Sequence, residues 1–418
     1  MAIESPLKIG EPVLRWTARA HSIAEIEHQL ARIWSTPDLT TQIDGEDTRH
    51  VAARTSVMNL IVVARRPELA ERSAAAIQSL TGRHPSRTIV IQPADPDGPS
   101  WQDARIEAHC ILPRADAPET CAETIHLTCG GESGRHLAAI ATPLIIHDLP
   151  VTVWWPGEPP FASRSAQELL SAADRLIVDG STWNGDGLAT LREMAALLQS
   201  SQLSISDFAL IRQSRWREAI ASTFDDPDFL PYLRSIRRIA VTYGTHDETG
   251  TPGSTNLVKP IYHVGWLASR LGLSVVKPLA PVSGPSQRPS SAARSQRHAG
   301  TRPAMSRGLT ATLSDGRADV AVVIRPVMSP MPAGTTLRVE LLAVLRGSEL
   351  RTDVTAEAET VNVRVWQDGV EVLERGFRAP RRTDVDLLAE AIETGRRDPV
   401  AHGALRAAAA ISRDGGAP

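Results

Sequence analysis

Ser56 to Ala64 (SVMNLIVVA) is an unbroken apolar run, too short to span a membrane and with no polar side to offer to water. A strand of this type is buried on both faces, which is the habit of a parallel sheet covered by helices. Pro67 then opens a helical stretch through Leu80, Gly82 closes it, and Thr88–Ile91 (TIVI) is a second apolar run. Proline fits the first helical turn because its missing N–H is not needed there, and glycine fits just past the end because it tolerates a left-handed backbone. Strand, helix and strand in that order read as a βαβ unit, so the N-terminal part is expected to be α/β with a mainly parallel sheet.

The rest of the chain divides on the same reasoning. Ser22 and Glu25 form a capping-box pattern ahead of Ile23, Ile26, Leu30, Ile33 and Trp34 at helical spacing. Arg105–Leu112 and Thr124–Cys129 alternate as strands, Glu132–Ile146 reads as a helix, and Pro150–Trp155 is a further strand. The proline cluster near residue 160 marks a boundary. We expect an N-terminal α/β domain over residues 1–160, with a helical N-terminal extension, and a C-terminal α+β domain over 161–418. In the second domain Thr255–Leu271 is a helix capped by Gly272, and Val385–Glu393 and Pro399–Ile411 close the chain as helices. Asp319–Arg325, Thr336–Leu345, Thr360–Trp366 and Val370–Arg375 alternate as an antiparallel sheet, with Asp368-Gly369 as a tight hairpin turn. Between them, residues 282–306 collapse to Ser, Pro, Gly, Arg and Ala and read as a flexible linker or disordered insertion.

Composition excludes several functions. A net charge of −3 is wrong for a strongly basic nucleic-acid binder. The most apolar stretch, Ile140–Trp155, is broken by Pro143, His147, Asp148 and Pro150 and falls short of a membrane span. The opening residues MAIESPLKIGEP lack the apolar core of an export signal, and the three cysteines are too few for a disulfide scaffold. A cytoplasmic protein with no membrane and no nucleic acid is the expectation; Cys121 and Cys129 could in principle pair across neighbouring segments, but reduced, inert thiols are the stronger reading.

Catalytic fingerprints are missing. None of the three lysines follows a phosphate-binding glycine loop, and no strand leads into G-x-G-x-x-G. Gly130-Gly131-Glu132-Ser133-Gly134 lies at a strand-to-helix turn, where Gly130, Gly131, Ser133, Arg135 and His136 form a candidate anion site. The competing reading is a packing turn, since Glu132 repels anions. His109, Cys110, His126, Cys129, His136 and His147 lack the close pairing of a zinc site, so no metal is expected. Trp154-Trp155-Pro156-Gly157 stands out: neighbouring strand residues point to opposite faces, so either one indole faces outward or helices bury both.

The stretch CGGESGRHLAAIATPLIIHDLPVTVWWPGEPPF (129–161) resembles the glucose-6-phosphate dehydrogenase assembly protein family, the OpcA proteins. ADRLIVDGSTW (173–183), HPSR before TIVI, and VGWLASRLGLS (264–274) support it. The resemblance spans roughly residues 10–280 and is looser beyond. It implies a non-enzymatic assembly factor and allosteric activator, without cofactor, that binds oligomeric glucose-6-phosphate dehydrogenase and supports oxidative pentose phosphate flux and NADPH production. Trp154, Trp155, Pro156 and Gly157 are the expected partner-binding residues. The alternative is a sugar-phosphate-binding enzyme or sensor using the Gly130–His136 turn. Redox control, associated with C-terminal cysteines in cyanobacterial relatives, is not carried over because no cysteine follows Cys129.

Overall fold

The computed structural model describes residues 9–35, 42–43, 49–50, 53–112, 114, 119–246, 255–282, 308–357, 359–395 and 398–413. The expected linker at 282–306 lies outside them apart from Val282. Two compact units emerge: Met1–Asp179 with Leu197–Phe208 and Arg382–Arg397, and Gly180–Ala196 with Ala209–Arg381 and Asp398–Pro418.

The strands of the first unit are β1 (Val13–Ala20), β2 (Gln42–Ile43), β3 (Arg49–His50), β4 (Ala53–Arg54), β5 (Met58–Val63), β6 (Ser86–Pro93), β7 (Trp101–Ile111), β8 (Thr120–Gly130), β9 (Val151–Trp155), β10 (Arg175–Val178) and β11 (Ser204–Asp207). The main sheet runs β1-β7-β8-β6-β5-β9-β10-β11, with β4 beside β8 and β2-β3 as a separate pair. From β8 to β11 every pairing is parallel, while β7 and β1 add on antiparallel. Counted from β5, the six parallel strands follow the order 3-2-1-4-5-6, the doubly wound arrangement that binds dinucleotides in many enzymes. All residues of β5, β9, β10 and β11 are buried; of the apolar run at 56–64, Met58–Ala64 is buried as expected, while Val57 ahead of the strand is exposed. The N-terminal fold is thus the α/β, mainly parallel one expected.

Two local expectations change. β1 was not anticipated, because its buried Arg15 reads as a surface residue until Glu119 is brought to it, at 3.1 Å. The single helix expected at 132–146 is instead Gly131–Arg135, Leu137–Ala141 and a 3-10 turn at Thr142–Leu144. His136, at φ −116° and ψ 63°, breaks the first piece from the second, and Pro143 has no N–H to continue the ladder.

The second unit holds β12 (Ile236–Thr245), β13 (Ser274–Pro281), β14 (Leu309–Ser314), β15 (Asp319–Met328), β16 (Thr336–Leu345), β17 (Ser348–Ala356), β18 (Thr360–Gln367) and β19 (Val370–Arg378). They form one sheet, β13-β14-β15-β12-β16-β17-β18-β19, in which only β12 and β15 pair parallel. This is the antiparallel α+β domain expected. Alternation sets its inner face: Leu309, Ala311 and Leu313 on β14 and Val320, Val322 and Ile324 on β15 are buried. Asp368 (φ 51°) and Gly369 (φ 83°) make the anticipated two-residue turn between Gln367 and Val370. Helix Val258–Leu271 packs on helix Pro399–Ile411 and ends at Gly272 with a left-handed backbone, φ 67°. Among the described residues, no helix is long and apolar enough to cross a membrane.

Candidate functional site

Doubly wound sheets present ligands at the carboxyl ends of the strands where the order reverses, here between β5 and β9. β5 leads through Ala64, Arg65 and Arg66 into helix Pro67–Gln78, and β9 leads into Pro156 and Gly157. The segment singled out in the sequence therefore sits at the switch point. A dinucleotide site would need glycines after β5 so that the pyrophosphate could approach the helix N-terminus. This chain instead has two exposed arginines and a proline at N1, which removes one amide donor. Arg65 and Arg66 are the surface residues at this place that sequence reasoning passed over; only the topology brings them to the end of β9.

Trp154 is 2% exposed and Trp155 4%, so both indoles are buried, the second of the two readings of this pair. The Trp154 ring lies 5.7 Å from that of Phe208, and its indole N–H has no hydrogen-bond partner among the described residues. Pro156 is buried as well, and Gly157 is half-buried, with its Cα facing Leu69 of the helix that starts at Pro67. The loop before β9 is held by Asn59, which is fully buried on β5. Its Nδ2 donates to Ile146 O and Leu149 O at 2.9 and 3.2 Å, and its Oδ1 accepts from Ile146 N at 2.7 Å.

The Gly130–His136 turn is packed shut. A side chain on Gly130 would strike the Trp101 indole, and one on Gly131 (φ 58°) would strike Gly98 and Pro99. The Gly131 and Glu132 amides donate to Asp95 O at 2.9 Å and Ser100 Oγ at 3.1 Å. Ser133 Oγ accepts from Gln102 Nε2 at 3.4 Å. Arg135 pairs with Asp97 at 2.6 Å, and His136 meets Glu132 at 2.8 Å. The cations and donors an anion would need are already engaged, and the glycines answer to close packing.

Of the histidines and cysteines, β7 and β8 bring His109 and His126 to the same oxygen of Glu107, Oε2, at 4.0 and 3.4 Å. Burial holds the His109 imidazole below its usual range. Cys110 and Cys121 face each other in register and are joined as a disulfide, which corrects the expectation of reduced thiols and leaves the weighed alternative, Cys121 with Cys129, unmade. The reason is register: position 110 opposes 121, while 129 opposes Gln102. Cys129 is free and buried, and burial pushes its thiol up to about 11. Cys110, Cys121 and Glu119 place three ligand atoms within 4.8 Å. The sulfurs are bonded to each other and Glu119 pairs with Arg15, so this set does not fit a metal.

A family model described as the glucose-6-phosphate dehydrogenase subunit N-terminal domain matches residues 50–196, and the corresponding C-terminal domain matches 203–405. The putative OxPP cycle protein OpcA of Synechocystis sp. is 30% identical over 194 residues, covering 46% of this chain and 38% of that protein. The match thus spans less than half of that relative's length. Among solved structures, the transcriptional regulator Gal80p of Kluyveromyces lactis is similar at TM-score 0.42 and 11% identity, over 84% of this chain and 86% of that one. The putative oxidoreductase yvaA of Bacillus subtilis reaches TM-score 0.43 and 10% identity, over 85% and 95%. Matched over most of its length, the chain belongs to the glucose-6-phosphate dehydrogenase subunit family, the OpcA proteins.

Proposed function

We propose that this chain is an assembly factor and allosteric activator of oligomeric glucose-6-phosphate dehydrogenase, acting in the cytoplasm without turnover of its own and supporting oxidative pentose phosphate flux. The observation that carries the reading is the family match over both 50–196 and 203–405. The switch point supports it: Arg65, Arg66 and Pro67 stand where a dinucleotide fold needs glycine, so the scaffold lacks its usual cofactor loop. An activator works by binding the active assembly more tightly than the inactive one, each tenfold difference shifting the equilibrium by about 1.4 kcal/mol. In this reading the partner meets the rim of the switch point. Buried Trp154, Trp155 and Pro156 set the position of Gly157, and Arg65 and Arg66 supply the exposed contact.

The test is to titrate the purified chain into the cognate dehydrogenase, following activity and sedimentation on the same samples. A saturable rise in rate with a co-sedimenting complex is expected, and Arg65→Ala with Arg66→Ala should weaken the complex. Absence of both binding and rate change overturns the reading. Normal binding by the double variant moves the contact elsewhere and leaves the activator role standing.

A further inference from the structure

The second unit contains a cleft of about 470 Å³ bounded by three separate segments. Arg234 comes from the 3-10 turn Leu230–Ser235 and Arg237 from the start of β12; Arg270 lies in the last turn of helix Val258–Leu271, and Arg317 on the β14–β15 turn. All four are exposed at the cleft, and none is in an ion pair among the described residues. Among the described residues, the single hydrogen bond made by any of their guanidinium groups is from Arg237 to its neighbour's carbonyl, Ile236 O, at 3.2 Å. One carboxylate, Asp315, shares the cleft. Its Oδ1 is occupied by the backbone amides of Arg317 and Ala318, at 2.8 and 2.9 Å. Four cations against one anion leave a formal charge of +3 in a space of small-molecule size.

We infer that this cleft binds a small phosphorylated metabolite carrying at least two negative charges. Guanidinium groups are planar forks that hold phosphate oxygens by two parallel hydrogen bonds, and they remain charged at every physiological pH. The helix that ends at Gly272 turns its carbonyl end this way, so its dipole opposes an anion and the arginine side chains must supply all of the attraction and outweigh it. The concavity argues for a small ligand over a protein surface, which needs about 800 Å² from each partner. This is a different place from the Gly130–His136 turn, where arginine and histidine are already paired with carboxylates. It also stands independently of dehydrogenase binding.

The test is calorimetric titration of the full chain with sodium pyrophosphate, followed by glucose 6-phosphate and by ATP, each at low and at physiological salt. Saturable pyrophosphate binding that weakens with salt is expected. Arg237→Ala and Arg317→Ala should each loosen it by about tenfold, the scale of one charge-assisted hydrogen bond. Arg215→Ala, outside the cleft, should leave binding unchanged, and equal melting temperatures will confirm that the variants fold. The better of the two organic ligands identifies the source as a sugar phosphate or a nucleotide. Absence of saturable binding, or binding indifferent to both cleft variants, overturns the proposal.

Discussion

Several residues that carry the family resemblance serve as internal locks. Arg87, from the HPSR stretch, is buried on β6 and donates to Glu123 Oε2 at 2.5 Å and Leu144 O at 3.1 Å, while Glu123 also accepts the Trp34 indole N–H. Asp174, from ADRLIVDGSTW, accepts the Val151 amide at 2.9 Å, and its neighbour Arg175 donates to the carbonyls of Ala391 and Thr394. Such pairs look like surface charge in the sequence, because nothing local reveals that the fold will bury them. His263 is the residue with a measurable consequence. It is fully buried beside Trp216, 5.2 Å between ring centroids, and neither ring nitrogen has a partner among the described residues. Burial, helped by the charge of Arg217, pushes its imidazole down from 6.5 to about 3. The folded state therefore binds its proton less readily than the unfolded state. Stability from this group is complete above pH 6.5 and falls as pH drops from there toward 3, at up to about 1.4 kcal/mol per pH unit. Denaturant titrations at a series of pH values should show a shallower acid slope in His263→Leu than in the parent. Identical slopes would mean that other groups carry the acid dependence.

At the scale of elements, the helix Val258–Leu271 shows what a sequence stripe can and cannot say. Its apolar residues at helical spacing place it, and Gly272 places its end, but the stripe does not say why position 265 is glycine. A Cβ there would lie 2.6 Å from Ala404 O and 2.8 Å from Ala408 Cβ on the helix Pro399–Ile411. Gly403 on the second helix would meet Ser269 in the same way, so the two helices approach through small residues on both sides. Adding bulk must separate them or strain them, at a cost of roughly 1–3 kcal/mol for a small overpacking. Gly265→Val should therefore lower the denaturation midpoint substantially, with Gly265→Ala intermediate, as thermal melts would show. A melt unchanged by valine would refute the close approach. Elements bounded by local chemistry, such as the Asp368-Gly369 hairpin, were fully legible, because the turn needs nothing beyond its own two residues. The strands β13, β14 and β17 were not, since their alternation is short and partly exposed and becomes a sheet only through neighbours distant in sequence.

For the whole molecule, the chain order is less simple than the units. After leaving the first unit at Asp179, it returns at Leu197–Phe208 to add β11, and again at Arg382–Arg397. That last segment holds helix Asp384–Glu393, which packs on helix Pro67–Gln78. Arg72 pairs with Asp384 there, and Arg83 and His84 meet Glu393 at 2.6 and 2.8 Å. The last helix, Pro399–Ile411, belongs to the other unit and lies on Val258–Leu271. A chain ending at Arg381 thus loses a packing partner in each unit. It should show lower thermal stability and faster proteolysis than the full chain, and equal resistance would show that both units stand without the C-terminal helices.

What the sequence determined alone was what short-range physics enforces. The apolar run at 56–64, with Pro67 and Gly82 framing the helix after it, compelled a buried parallel sheet. The alternation after residue 319 compelled an antiparallel one. Tertiary structure decided whatever depends on which distant segments become neighbours. It put the Trp154–Gly157 segment at the switch point of the sheet and buried both indoles, and it joined Cys110 to Cys121 across a register that no spacing announces. It also gathered Arg234, Arg237, Arg270 and Arg317 from three segments into one cleft. Periodicity is written in adjacent residues, whereas charge pairing, burial and convergence are properties of contacts, and contacts exist only once the chain has folded.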